Sequence, residues 1–177
     1  MEITRTTLAD WVEAAALALE PIYKAIRTDL IGGNYLQVDE TPVRVMDPEV
    51  RGKTASGWLW VYARPKGGVL FNFQRSRGRA GPDKILKTFS GTIQSDGYAL
   101  YGAMERDRPG LNRLACWAQA RRKFHDALSD DPIRAKGMIA LMARLYGIEK
   151  AARDGQLTAE ARHDLRLQGA PAILQAI

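Results

Sequence analysis

The chain has 177 residues, with 26 Lys+Arg against 20 Asp+Glu and a net charge of +6. Hydrophobic residues make up 46%, which supports a core and excludes wholesale disorder. No run reaches the ~18 consecutive apolar residues of a membrane span, the start lacks the layout of a secretory signal, and the single Cys116 excludes a disulfide framework and a Cys-rich zinc site, so the expected compartment is the cytoplasm.

Apolar residues recur at three- and four-residue steps over 8–30, from Leu8, Trp11 and Val12 to Ile26 and Leu30, which predicts a helix. Thr7 with Asp10 predicts its N-terminal cap, Pro21 predicts a kink or split, and Gly32-Gly33-Asn34 predicts its end. Tyr35 to Asp39 and Thr41 to Val45 read as extended chain. Gly57 to Ala63 and Val69 to Phe73 are rich in aromatic and β-branched residues and predict two more strands. Together these predict a three-stranded antiparallel meander.

Pro82 predicts a short helix to Phe89, followed by a strand over Thr92–Asp96, a helix over Tyr98–Arg106 and a strand over Arg113–Trp117. A basic helix over Ala118–Leu128 comes next, then a helix from Pro132 and a last one after Thr158 that Pro171 is expected to interrupt. Three antiparallel strands followed by alternating helices and strands predict a mixed sheet covered by helices. That is the strand order of a ribonuclease H-like fold, of mixed α+β class. The expected organisation is a helical lead-in over 1–33, a core over 34–131 and a helical region over 132–177.

The charge is uneven. Ten basic residues between Arg44 and Lys87, among them Arg51, Lys53, Arg75, Arg77 and Arg79, face three acids, so this segment carries +7 and the remainder −1. Such a segment suits a polyanion, because each cation that neutralises a phosphate releases counterions. A solvated set of strand edges and turns is the alternative. Asp39 falls in the first predicted strand and Asp96 at the end of the fourth. In this strand order the two strands can lie side by side, and the carboxylates would converge at one sheet edge. Converging carboxylates repel unless they hold a cation, and oxygen ligands select hard ions such as Mg²⁺ or Mn²⁺. Two such ions can clamp both oxygens of a phosphoryl displacement. Each acid also has a plain reading: Asp96-Gly97 is a turn signal, and Asp39-Glu40 before Thr41-Pro42 suits a solvated strand with a bend.

Arg121, Arg122 and Lys123 on the basic helix could grip phosphates or form a solvated face. Cys116 reads as a small buried hydrophobe rather than a nucleophile. Trp58 and Trp60 share one strand face, better suited to core packing than to stacking on bases. No Gly-rich spacing matches a nucleotide-phosphate loop.

Val38-Asp39-Glu40-Thr41-Pro42-Val43, Gly52-Lys53-Thr54, Gly57-Trp58-Leu59-Trp60-Val61-Tyr62-Ala63-Arg64, Ser95-Asp96-Gly97-Tyr98 with Tyr101, and Cys116-Trp117-Ala118 with Ala120-Arg121-Arg122-Lys123-Phe124 occur in that order. In these motifs the chain resembles bacterial insertion-sequence transposases of the "IS sixty-six" type over nearly its whole length. The resemblance implies a DDE transposase core that uses Mg²⁺ or Mn²⁺ to cut and join DNA. Asp39 and Asp96 would then be the first two catalytic, metal-binding acids, with Glu40 as a weaker candidate partner. Gln119 stands where the family usually has His. The family's third acid lies in a downstream Asn-Asn-x-x-Glu-Arg-like motif that the chain does not contain.

The resemblance further implies a fragment truncated at both ends, binding its metal weakly or not at all and showing little or no cleavage alone. DNA is the implied partner, with homo-oligomers in the full-length family, nucleoid association, no membrane and no small-molecule substrate. The alternative is a non-catalytic DNA-binding or regulatory remnant. A self-sufficient nuclease would need its third acid among Asp126, Glu149 and Glu160.

Overall fold

Residues 3–47 and 52–177 are described by a computed structural model. They fall into two units, Met1–Ala115 and Cys116–Ile177.

The first unit opens with helix α1 (Arg5–Ile31). Its cap is Thr4, whose hydroxyl oxygen accepts from the Thr7 amide at 3.1 Å; the sequence pattern had pointed to Thr7, which supplies the donor instead. Pro21 lies inside the helix and does not split it. A helical proline deprives the carbonyl four residues earlier of its donor. Here that residue is Leu17, 65% exposed, so water can replace the lost partner. The apolar stripe packs only in its C-terminal part, where Leu30 is buried and Tyr23, Ile26 and Ile31 lie against the core.

Strands β1 (Tyr35–Met46), β2 (Thr54–Ala63) and β3 (Val69–Gln74) form the antiparallel meander. The two extended pieces read from the sequence are one strand, β1, running through Pro42. The pairing of β4 with β1 covers only Tyr35–Gln37. At Pro42, therefore, β1 has β2 on one side and no β4 partner on the other, a position where a sheet tolerates proline. Helix α2 (Ala80–Ile85), strand β4 (Gly91–Ser95), helix α3 (Ala99–Asp107) and strand β5 (Leu111–Ala115) complete the unit. The sheet order is β3-β2-β1-β4-β5, with β1, β4 and β5 parallel. This is the expected mixed five-stranded sheet with flanking helices, of ribonuclease H-like strand order, and the first and fourth strands are neighbours.

Leu36, Val38, Trp60, Tyr62, Leu70 and Ile93 from the sheet are buried with Ile85, Tyr101 and Met104 from α2 and α3. Each such large side chain contributes about 1.5–3 kcal/mol on burial. Trp58 packs beside this cluster on the same side as Trp60, as the strand alternation indicated.

The second unit is helical: α4 (Trp117–Asp126), a 3-10 turn (Ala127–Ser129), α5 (Pro132–Asp154) and α6 (Ala159–Ala176). Asp131 caps α5 by accepting from the Arg134 amide, and Thr158 caps α6 by accepting from the Ala161 amide. Pro171 was expected to interrupt the last helix but sits inside α6. The residue four before it, Leu167, is 59% exposed, so the unpartnered carbonyl is again affordable to solvent. No helix among the described residues is long and apolar enough to cross a membrane.

Glu149 on α5 ties the two long helices together. Its carboxylate accepts from Arg166 Nε at 2.5 Å, from Arg162 Nε at 2.9 Å and from the terminal nitrogens of both arginines. The hydrogen bond from Arg166 is the largest influence lowering its pKa from 4.5 to about 2. A depressed carboxylate contributes stability above its unfolded pKa and loses it as pH falls through the folded value. Wild type should therefore lose about 1 kcal/mol more than Glu149→Gln between pH 4.5 and pH 2. Parallel pH–stability curves from chemical unfolding would contradict this.

Candidate functional site

Gln37 and Gln94 form the last paired row between β1 and β4. Their side chains meet on one sheet face: Gln37 Nε2 donates to Gln94 Oε1 at 3.1 Å, and the Tyr35 hydroxyl donates to the same oxygen at 2.6 Å. Side chains alternate along a strand, so Asp39 shares the side of Tyr35 and Gln37, opposite buried Leu36 and Val38. Asp96 lies the same two residues past Gln94, just beyond the end of β4. Counted from that row, both sequence-predicted acids stand two residues on, Asp39 within β1 and Asp96 just past the end of β4.

Both acids are held by backbone donors. Asp39 is exposed, and its Oδ1 accepts from the Glu40 amide at 3.0 Å. Asp96 is half-buried, and its Oδ1 accepts from the Tyr98 amide at 2.9 Å, an Asx turn that leads into α3. The second carboxylate oxygen of each acid accepts no hydrogen bond among the described residues. An all-oxygen pair of this kind fits a hard divalent ion that keeps several waters. No group of three or more Asp, Glu, His or Cys side chains that could hold a metal ion occurs among the described residues.

Glu40 points the other way. It is paired with Trp60 across β1 and β2, and its side chain is only 1% exposed. Burying a carboxylate is costly unless it is paired and hydrogen-bonded. Here Oε1 accepts from Arg77 Nη2 at 2.6 Å and Nε at 3.0 Å, and Oε2 accepts from the Tyr101 hydroxyl at 2.7 Å. The Arg77 guanidinium carbon also lies 4.8 Å from the Trp58 ring centre and 4.0 Å from that of Tyr98, within range of cation–π attraction. The Tyr98 hydroxyl donates to the Arg77 carbonyl at 3.2 Å.

The electrostatics follow this geometry. Its hydrogen bond with Glu40 is the main cause that raises the Arg77 pKa, and the Asp96 charge adds to it. Burial, then the bond to Glu40, pushes the Tyr101 phenol up, with a smaller contribution from Asp39. Sequence reasoning rated Glu40 a weaker partner and missed the aromatic groups around Arg77. The Tyr98–Tyr101 spacing was the available signal.

The basic residues take separate places. Arg51 lies outside the described residues. Lys53 and Arg75 are exposed. Arg77 is engaged by Glu40, and Arg79 is engaged by Asp83 at 2.8 Å and by Asp107. Arg121, Arg122 and Lys123 lie on α4 in the second unit, with Arg122 and Lys123 exposed and Arg121 half-buried. Asp126 ends α4, Glu160 sits in the first turn of α6, and Glu149 is bound by two arginines. Cys116 is half-buried rather than fully buried.

Relatives cover the whole chain. It is 32% identical to uncharacterized protein y4qI of Sinorhizobium fredii, over all of this chain and 35% of that protein. It is also 32% identical to y4jD of the same organism, over 98% of this chain and 36% of that protein. A third similar protein, y4hP, is 28% identical over 71% of the chain. The chain spans about a third of the length of the first two relatives. No solved structure matches it. The family described as "Transposase IS66 family" matches residues 1–177, and with that match running over the strand order and both acids, the chain belongs to the IS66 family of transposases.

Proposed function

We propose that the chain is the front part of a DDE transposase catalytic domain, in which Asp39 and Asp96 supply two of the carboxylates for divalent metal. Its helical lead-in is 1–33, its incomplete core 34–131, and its helical region 132–177. The observation that carries the reading is the register: both acids lie two residues past the Gln37–Gln94 row of neighbouring parallel strands. Such a pair would hold Mg²⁺ or Mn²⁺, which supplies charge stabilisation and water activation for phosphoryl transfer on DNA. Asp39 and Asp96 would hold the ion through the oxygens left free by the Glu40 and Tyr98 amides. Exposed Lys53 and Arg75 in the first unit would contact phosphates, and Arg121, Arg122 and Lys123 in the second unit would do so separately, without reading the DNA sequence.

The remaining carboxylate would come from the longer protein, so the isolated chain should bind metal weakly and cleave little DNA. Mn²⁺ binding followed by electron paramagnetic resonance tests the acids directly. Asp39→Asn and Asp96→Asn should each weaken binding about 10-fold or more. Equal binding by wild type and both variants would remove the reading.

A further inference from the structure

The β1–β4 ladder ends at Gln37 and Gln94, two residues short of both acids. Beyond that row no strand pairing fixes Asp96 against Asp39. A different set of contacts continues the connection. Asp39 is bonded to Glu40, whose buried carboxylate holds Arg77. Arg77 lies over the Tyr98 ring and accepts the Tyr98 hydroxyl at its carbonyl. The Tyr98 amide holds Asp96 Oδ1. Tyr101 braces both ends, donating to Glu40 and meeting Tyr98 edge-on at 6.0 Å between ring centres.

We propose that Glu40 and Arg77 are positioning residues that fix the spacing of the Asp39 and Asp96 carboxylates through Tyr98. This role rests on the reading of those two acids as the metal-binding pair. Neither Glu40 nor Arg77 would hold the ion. Arg77 is therefore committed to Glu40 rather than being one more phosphate contact, and an arginine can set two N–H groups on one carboxylate oxygen while its guanidinium stays within cation–π range of two rings.

The test combines residue-resolved amide exchange with Mn²⁺ binding on the full chain. Glu40→Gln keeps an acceptor for Tyr101 and removes the charge that holds Arg77. The Tyr98 amide should exchange about 10-fold faster, while ladder amides of β4 at Ile93 and Gln94 change less than about 2-fold. Mn²⁺ affinity should fall about 10-fold, as for lost ligand support. Arg77→Lys keeps the charge and should not restore either readout. If Glu40→Gln unfolds the unit, Arg77→Lys alone carries the same comparison, because that side chain is 41% exposed.

Uniform acceleration of all amides, or unchanged Mn²⁺ affinity beside a loosened Tyr98, overturns the positioning role. Unchanged Tyr98 exchange with Mn²⁺ binding lost in Asp39→Asn overturns it too, and leaves the acids standing. A wild-type chain that binds no Mn²⁺ overturns the reading of the acids, and this role with it.

Discussion

Gly91→Ala is expected to cost the first unit about 3 kcal/mol or more, although it adds a single methyl group. Gly91 has φ +142°, a conformation L side chains rarely adopt, and an added Cβ would sit 2.4 Å from the Asn34 carbonyl oxygen and 2.8 Å from its carbon. The obstruction is backbone, so no side chain can swing aside. Nor can the segment drift away. The Thr92 amide donates to that same Asn34 oxygen at 2.8 Å, and the Gly91 amide donates to Gly110 at 2.8 Å. Asn34 leads into β1 and Gly91 begins β4, so the clash opens the strand pair whose last paired row lies two residues before each acid. Gly97→Ala is the control, because nothing lies within 4 Å of its added Cβ. Denaturant unfolding should separate the two variants, and a Gly91→Ala loss below about 1 kcal/mol would contradict the argument.

Trp60→Ala should remove about 3–5 kcal/mol. The side chain is fully buried and meets Tyr101 edge-on, with ring centres 6.4 Å apart. It faces Glu40 in the β1–β2 register. Its loss would leave a cavity under the Tyr101 ring whose hydroxyl supports Glu40. Trp60→Phe should cost clearly less. It keeps an aromatic ring and removes an indole N–H that finds no acceptor among the described residues, which would otherwise carry a desolvation penalty. Equal unfolding free energies for the Ala and Phe variants would show that the ring is not what the core needs.

Much of this fold could be read from the sequence because its signals are local. Alternation around Trp58 and Trp60, turn glycines and the Pro132 and Thr158 helix starts gave the elements in their observed order. Pro171 misled, since it punctuates the sequence but lies in a helix whose freed carbonyl belongs to an exposed residue, and Pro21, read as a kink or a split, does not split α1. Asp39 and Asp96 were legible as candidates because strand order makes β1 and β4 neighbours. The fate of Arg77 was not. Counting charge treats every arginine in the +7 segment alike, whereas the structure commits Arg77 and Arg79 to carboxylates. For Arg77 that distinction depends on which strand face Glu40 occupies and on a contact 37 residues apart in the chain.

The two acids share a count from one paired row, and counting has its own kind of fragility. In a strand of period two, a shift of one residue exchanges the two faces. Removing one residue between Gly91 and Asp96 would put the acid out of step with Asp39 even if every motif letter survived. The site is written as a parity, and parity is blind to conservative substitution but not to a single deletion.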